Sequence, residues 1–295
     1  MQKRTLFALM IPIALATVVS ARRPFLERTT GEQRTLLGPS QVLGGGTARS
    51  YVELDAAGIP RAVGVALSAE ALTQLAPHMN LTSRCFDRDS SGAVTHGECL
   101  GDYQLNLELP REAGKRGVPV RWISLNWNPE GHMPPAPHIW SAPHFDFHFY
   151  IVDREPIEQI RAGSCGELID CDDFRKAQRP LPAGHLPPDY LDVGAAVPRM
   201  GNHLIDKHDP ELADPSRGFS RTFIYGAYDG QLIFLEPMIT RSYLATKPNV
   251  CSPVRSPAAV ATSGYYPTRY CVRYDAATSM YRVSLEGLVR MTTPG

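Results

Sequence analysis

An excess of either charge is missing from this chain: 30 basic side chains meet 30 acidic ones. A protein that neutralises phosphates needs a basic excess, so nucleic acid is not an expected partner. No apolar run is long enough to cross a bilayer, since Leu6–Val19 spans about 14 residues against the ~18–20 that crossing takes. There is no Cys-x-x-Cys pair, no Gly-x-Ser-x-Gly elbow, no Gly-x-x-x-x-Gly-Lys loop and no His-Glu-x-x-His helix. Their absence argues against thiolate zinc ribbons and excludes the serine-hydrolase elbow, the P-loop and the helical zinc-protease motif. With 43% hydrophobic and 20% charged residues, the chain is too apolar and too neutral to stay disordered.

The amino terminus carries Lys3 and Arg4, then the apolar run, then Ser20-Ala21. That order predicts a secretory signal peptide over residues 1–21 and no membrane attachment after its removal. Residues 22–47, with Gly44-Gly45-Gly46, read as a flexible arm before a β domain over 48–295. Six cysteines follow the leader as neighbours: 85 with 99, 165 with 171, 251 with 271. An even count behind an export signal predicts disulfides and a secreted or periplasmic address.

Short β-like runs dominate what remains. Ala48–Leu54 and Arg61–Leu67 flank the turn Asp55–Gly58; Tyr103–Leu109, Val118–Trp127, His144–Val152, Thr222–Tyr228, Gln231–Leu235, Tyr270–Tyr274 and Met280–Val289 follow. Ser68 would cap a helix over Ala69–Leu75, and Arg154–Ala162 would form another. The expected class is mainly β, a single β-barrel or β-sandwich domain with a few short helices and two inserted loops. The insertions are a possible calcium loop at 85–99 and a Pro-rich stretch at 163–199.

The chemistry concentrates in Pro143–Tyr150. Side chains alternate along a strand, so His144, Asp146, His148 and Tyr150 share one face and Phe145, Phe147 and Phe149 the other. A His-Asp-His face is costly to bury without partners. His203 and Glu236 complete a metal-ligand pool with His144, Asp146 and His148, and three or four of the five are expected around one ion. Such His/carboxylate donors suit a divalent transition metal, Zn, Mn, Fe or Ni. Glu236 is expected to share a face with Leu232 and Phe234. His132, His138, His185 and His208 read as solvated loop residues, His208 being a reserve ligand.

A second constellation is Asp87–Glu98, which has the spacing of a twelve-residue calcium loop. Asp87, Asp89, Ser91, Ala93 (through its carbonyl) and Glu98 would hold Ca2+. The flanks depart from that motif, because Cys99–Asp102 leads towards a strand.

Asn126-Trp127-Asn128-Pro129, Gly131-His132, Pro143–Tyr150, Met200–Asp206 and Phe223–Thr240 together resemble a family of uncharacterised, mostly exported bacterial proteins. Its type member is a thermophile protein controlled by an extracytoplasmic-stress sigma factor. The likeness runs from about Gly45 to about Leu244 and implies export and a homo-oligomer, but no activity or catalytic residue. The expectation is therefore an exported metal-binding β protein, either an enzyme on a small or cell-envelope substrate or a non-catalytic stress or small-molecule-binding protein.

Overall fold

The computed structural model describes residues 34–132 and 139–294. The expected signal peptide and His138 lie outside them. Strands β1 (Arg34–Leu43), β2 (Gly46–Leu54) and β3 (Pro60–Ser68) form a meander. β4 (Asn80–Cys85) and β5 (Cys99–Gly101) make a small ribbon, followed by β6 (Tyr103–Glu108), β7 (Trp122–Asn128) and β8 (His144–Tyr150). After short β9 (Ala162–Cys165) come β10 (Tyr190–Val197), β11 (Gly201–Asp206), β12 (Arg221–Tyr228) and β13 (Gln231–Thr240). β14 (Asn249–Pro253), β15 (Gly264–Tyr266), β16 (Arg269–Asp275), β17 (Met280–Glu286) and β18 (Val289–Met291) end the chain. Helices α1 (Arg154–Glu158) and α2 (Cys171–Ala177) are short.

Two antiparallel sheets result, ordered β1-β2-β3-β17-β16-β14 and β10-β11-β12-β13-β8-β7-β6. The architecture is a β-sandwich rather than a closed barrel. β1–β3 and β14, β16 and β17, from the two ends of the described chain, share one sheet, while β15 pairs with β18 in a separate ribbon. Between the sheets, Val52, Val65, Val283 and Leu285 meet Leu125, Phe145, Phe147, Phe149, Phe223 and Leu235. The second sheet also buries its outer face. There Trp122, Tyr150, Ile224, Phe234 and Met238 pack under Ile157 of α1, Ile160, Ile169, Ala177 of α2 and Phe219. Each inward phenylalanine of β8 is fully buried and contributes on the order of 2–3 kcal/mol through area removed from water.

Several expectations are corrected. Of the expected flexible arm, residues 22–33 lie outside the described residues and Arg34–Leu43 is strand β1, which pairs with β2 through a register break between Leu37 and Ser40. Gly38-Pro39 sits at that break, on an edge strand where a missing N–H does no harm. A Cβ at residue 38 would lie 2.1 Å from Ser50 Oγ and 2.4 Å from the Glu108 carbonyl, so glycine permits this close crossing between sheets. The expected Ala69–Leu75 helix is a single 3-10 turn, Ala69–Leu72, without a cap bond from Ser68. Arg154–Ala162 is helical only to Glu158, and Val118–Val120 precede β7 rather than joining it. The 163–199 stretch contributes α2 and the edge strand β10.

All six cysteines pair as neighbours: Cys85–Cys99, Cys165–Cys171 and Cys251–Cys271. No helix among the described residues is long and apolar enough to cross a membrane.

Gly226 on β12 is a second glycine that the fold requires. A Cβ there would sit 2.2–2.4 Å from three atoms of the Phe234 ring. That ring is fully buried and already in contact with His148, Tyr150 and His203. Gly226→Ala should therefore cost about 1–3 kcal/mol by overpacking, measured as a drop in urea midpoint. An unchanged midpoint would contradict this packing.

Candidate metal centre

The polar residues of β8 lie in the middle of the second sheet, on its outer face. Register pairs Ser124 with His148, Asn126 with Asp146 and Asn128 with His144 on one side. On the other side Met238 faces Asp146 and Thr240 faces His144, which sets Glu236 across from His148. Alternation on β7 thus places Ser124, Asn126 and Asn128 on the same face as His144, Asp146 and His148. The carbon skeletons of Trp122, Tyr150, Phe234 and Met238 frame this block. It is a polar island between two apolar layers.

Within the island the five expected ligands divide into two groups rather than surrounding one point. His148, His203 and Glu236 form one, and His144 and Asp146 form the other together with His132. In each group the three donor atoms lie within 4.8 Å of one another. His148 Nε2 stands 3.3 Å from Glu236 Oε1, and His203 Nε2 stands 3.8 Å from Glu236 Oε2. His144 Nε2 is 3.1 Å from Asp146 Oδ1, and His132 Nε2 is 3.5 Å from Asp146 Oδ2. Side-chain exposure is 0% for His144 and His148, 1% for Glu236, 2% for Asp146 and 14% for His203.

Hydrogen bonds fix two ring tautomers. His203 Nδ1 is 3.0 Å from the Ala195 carbonyl, and His144 Nδ1 is 2.6 Å from the Ala142 carbonyl. A carbonyl only accepts, so each Nδ1 donates and each ring turns its Nε2 towards a carboxylate. Metal-bound histidines are commonly anchored through the other nitrogen in this way. The remaining groups are short of donors and acceptors. Both ring nitrogens of His148, Glu236 Oε2 and Asp146 Oδ1 are buried without a hydrogen-bond partner among the described residues.

His132 and the rim of polar partners were not in the expected pool. His132 comes from the loop after β7, and its Nε2 approaches His144 Nε2 to 3.2 Å. Its reading as a solvated loop residue is half right, since the ring is 40% exposed while its inner nitrogen faces the site. Asn128 Nδ2 donates to Asp146 Oδ2 at 2.7 Å, and Ser124 Oγ donates to Asn126 Oδ1 at 2.8 Å. Asn126 in turn donates to Asp102, which pairs with Arg84. The polar alternation Ser124-x-Asn126-x-Asn128 beside His-x-Asp-x-His was the signal for these partners. Leu232 is another correction. A bulge beside Gly226 and Phe234 leaves Ile233 extra, so Leu232 packs between the sheets while Glu236 and Phe234 face outward.

The Asp87–Glu98 loop brings Asp87, Asp89 and Glu98 together, but its own N–H groups engage their oxygens. Asp87 accepts from Ser91 and Gly92, Asp89 from Ser91, and Glu98 from Arg88 and Thr95. Ser91 Oγ donates to the Ala93 carbonyl at 3.0 Å. What the ribbon delivers to the island is its flanks, Arg84 and Asp102, whose spacing the Cys85–Cys99 bridge holds. His208 lies by Asp189 at 3.3 Å, outside either group, and His185 joins neither.

No protein-family model, curated protein or solved structure matches this chain.

Burial pushes His148 well below the ordinary histidine range and lowers His203 and His132 as well. Burial pushes Glu236 well above the carboxylate range, with the Asp146 charge adding to it. Burial would also raise Asp146, but the neighbouring His144 and His132 rings hold it well below its usual value. In metal-free protein the unfolded chain therefore binds more protons at these rings below about pH 6.5, so stability falls as pH drops. Glu236 acts in the opposite sense: the folded chain keeps a proton that the unfolded chain releases above about pH 4.3, so stability falls as pH rises. Each proton of difference changes stability by about 1.4 kcal/mol per pH unit. His148→Leu should flatten the acid limb between pH 6.5 and 5 by up to one such proton in chelator-treated protein. Urea midpoints across that range would show it, and an acid limb unaltered by the substitution would contradict it.

Proposed function

We propose that this chain is an exported metal-binding β-sandwich protein that holds a divalent transition metal at His148, His203 and Glu236. One observation carries the reading: three donor groups converge, two of them buried, while His148 Nδ1, His148 Nε2 and Glu236 Oε2 have no hydrogen-bond partner among the described residues. Leaving a buried polar group unpaired costs about 1–3 kcal/mol, more when it is charged. A divalent ion bound through one ring nitrogen of His148 and through Glu236 offsets that cost at both residues at once. Two histidines and a carboxylate suit Zn, Mn, Fe or Ni.

Three protein ligands leave at least one coordination position open, the pattern of catalytic rather than closed structural sites. An ion there supplies Lewis acidity for water or a small ligand. The chain's own part is to orient the donors, through the Ala195 carbonyl behind His203 and the Phe234 ring between the two histidines. The alternative of a polar face that merely builds a homo-oligomer is less favoured, because the donors are covered within the chain itself. Calcium at Asp87–Glu98 forms no part of the reading.

Export rests on the signal-like first 21 residues, on three disulfides and on the likeness of the motif segments to an exported bacterial family. An oxidising compartment is where such bridges persist. Protein purified without metal-affinity steps should contain at least one equivalent of transition metal by plasma mass spectrometry. Glu236→Gln combined with His203→Ala should remove an equivalent while three disulfides remain. Metal-free protein that takes up neither Zn2+ nor Mn2+ would overturn the proposal.

A further inference from the structure

We infer that the polar island holds two metal ions, the second at His132, His144 and Asp146. This rests on the reading of the island as a metal centre and extends it to a site that takes a new ligand from the loop after β7. The donor triangle is compact: His144 Nε2 to His132 Nε2 is 3.2 Å, His144 Nε2 to Asp146 Oδ1 is 3.1 Å, and His132 Nε2 to Asp146 Oδ2 is 3.5 Å. Ligands about 2.1 Å from one ion lie about 3.0–3.4 Å apart at octahedral or tetrahedral angles. The observed contacts, two of them to different oxygens of Asp146, lie close to that range, and one donor atom from each residue lies within 4.8 Å of the others.

Hydrogen bonding explains the triangle poorly without an ion. His144 spends its Nδ1 hydrogen on the Ala142 carbonyl at 2.6 Å. Its Nε2 stands 3.1 Å from Asp146 Oδ1, a buried oxygen without an aligned hydrogen-bond partner among the described residues. His132 can place at most one hydrogen between the two Nε2 atoms. That hydrogen can join the two rings, but it leaves Asp146 Oδ1 beside them without a partner among the described residues. A cation supplies that partner.

The outer support is that of a ligand set already in position. Asn128 Nδ2 holds Asp146 Oδ2 at 2.7 Å, and the Phe219 ring stands edge-on to His144 at 5.1 Å. Partners of this kind orient metal ligands and often cost ten- to hundred-fold in affinity when lost. The two groups are adjacent by construction, because Asp146 and His148 are successive residues on one face of β8, about 6.7 Å apart along the strand. His132 is half-exposed, so the second ion is the more accessible of the pair and the one that exchanges first with solvent.

The test strips the full chain with a chelator, reloads it with Zn2+ alone or Co2+ alone, desalts it and measures bound metal. The expected result is two equivalents in the parent, one in His132→Ala and one in His203→Ala. The Co2+ visible spectrum should change on His132→Ala because the ligand field at that ion is lost. His132 is a half-exposed loop residue, so its substitution should keep the fold, checked by far-ultraviolet circular dichroism. One equivalent in the parent, lost in His203→Ala but retained with an unaltered spectrum in His132→Ala, would overturn the second site and leave the first. One equivalent lost in both variants would mean a single shared ion and would overturn the second ion. Two equivalents persisting in His132→Ala would place the extra ion elsewhere and also overturn the assignment. No binding in any form would overturn this inference and the metal reading beneath it.

Discussion

The alternation along β8 is the constraint on which the rest of this molecule depends. One face offers Phe145, Phe147 and Phe149 to the space between the sheets, and the other offers His144, Asp146 and His148. In most antiparallel sandwiches the second face would meet water. Here both faces are covered, so every polar group on the outer one must find a partner or leave a desolvation cost of about 1–3 kcal/mol. A one-residue slip in register would exchange phenylalanine and histidine between the layers, which fixes the pairing of β7, β8 and β13.

The surrounding elements can be understood as responses to that island. Ser124, Asn126 and Asn128 of β7 supply short polar side chains that satisfy one another and Asp146. Arg84 and Asp102 arrive from a disulfide-closed ribbon and extend the chain of partners beyond Asn126. Gly226 leaves out a side chain so that the Phe234 ring can pack edge-on to His148 and tilted against His203. The segment from α1 to Phe219 then seals the face with apolar contacts. Asp173 of α2 fastens this cover, accepting from Arg161, Lys176 and Tyr228.

Much of this was legible in the sequence where local pattern decides structure. The Asp55–Gly58 turn and the alternation in Pro143–Tyr150 led to the right strands, and the spacing of the cysteines to the right bridges. Elements set by distant partners were less visible. β1 contains Gly38-Pro39, a breaker that an edge strand tolerates, the glycine being needed where Ser50 and Glu108 crowd the backbone. β10 and β11 show weak local preference and become strands by pairing with each other and with β12. His132 sits beside Gly131 in a loop, and only the return of the chain through β8 brings it to His144. The Leu232 error came from a bulge, which changes side-chain parity without any signature in a hydrophobic count.

The central claim is that the buried donors on β8, β11 and β13 are metal ligands. Crystals of the protein grown with Zn2+ as the only added metal, measured on both sides of the zinc absorption edge, test it most directly. The account predicts an anomalous peak about 2.0–2.2 Å from His148, His203 and Glu236. It would be contradicted by a map without that peak in which Glu236 is satisfied by ordered water and His148 by hydrogen bonds alone.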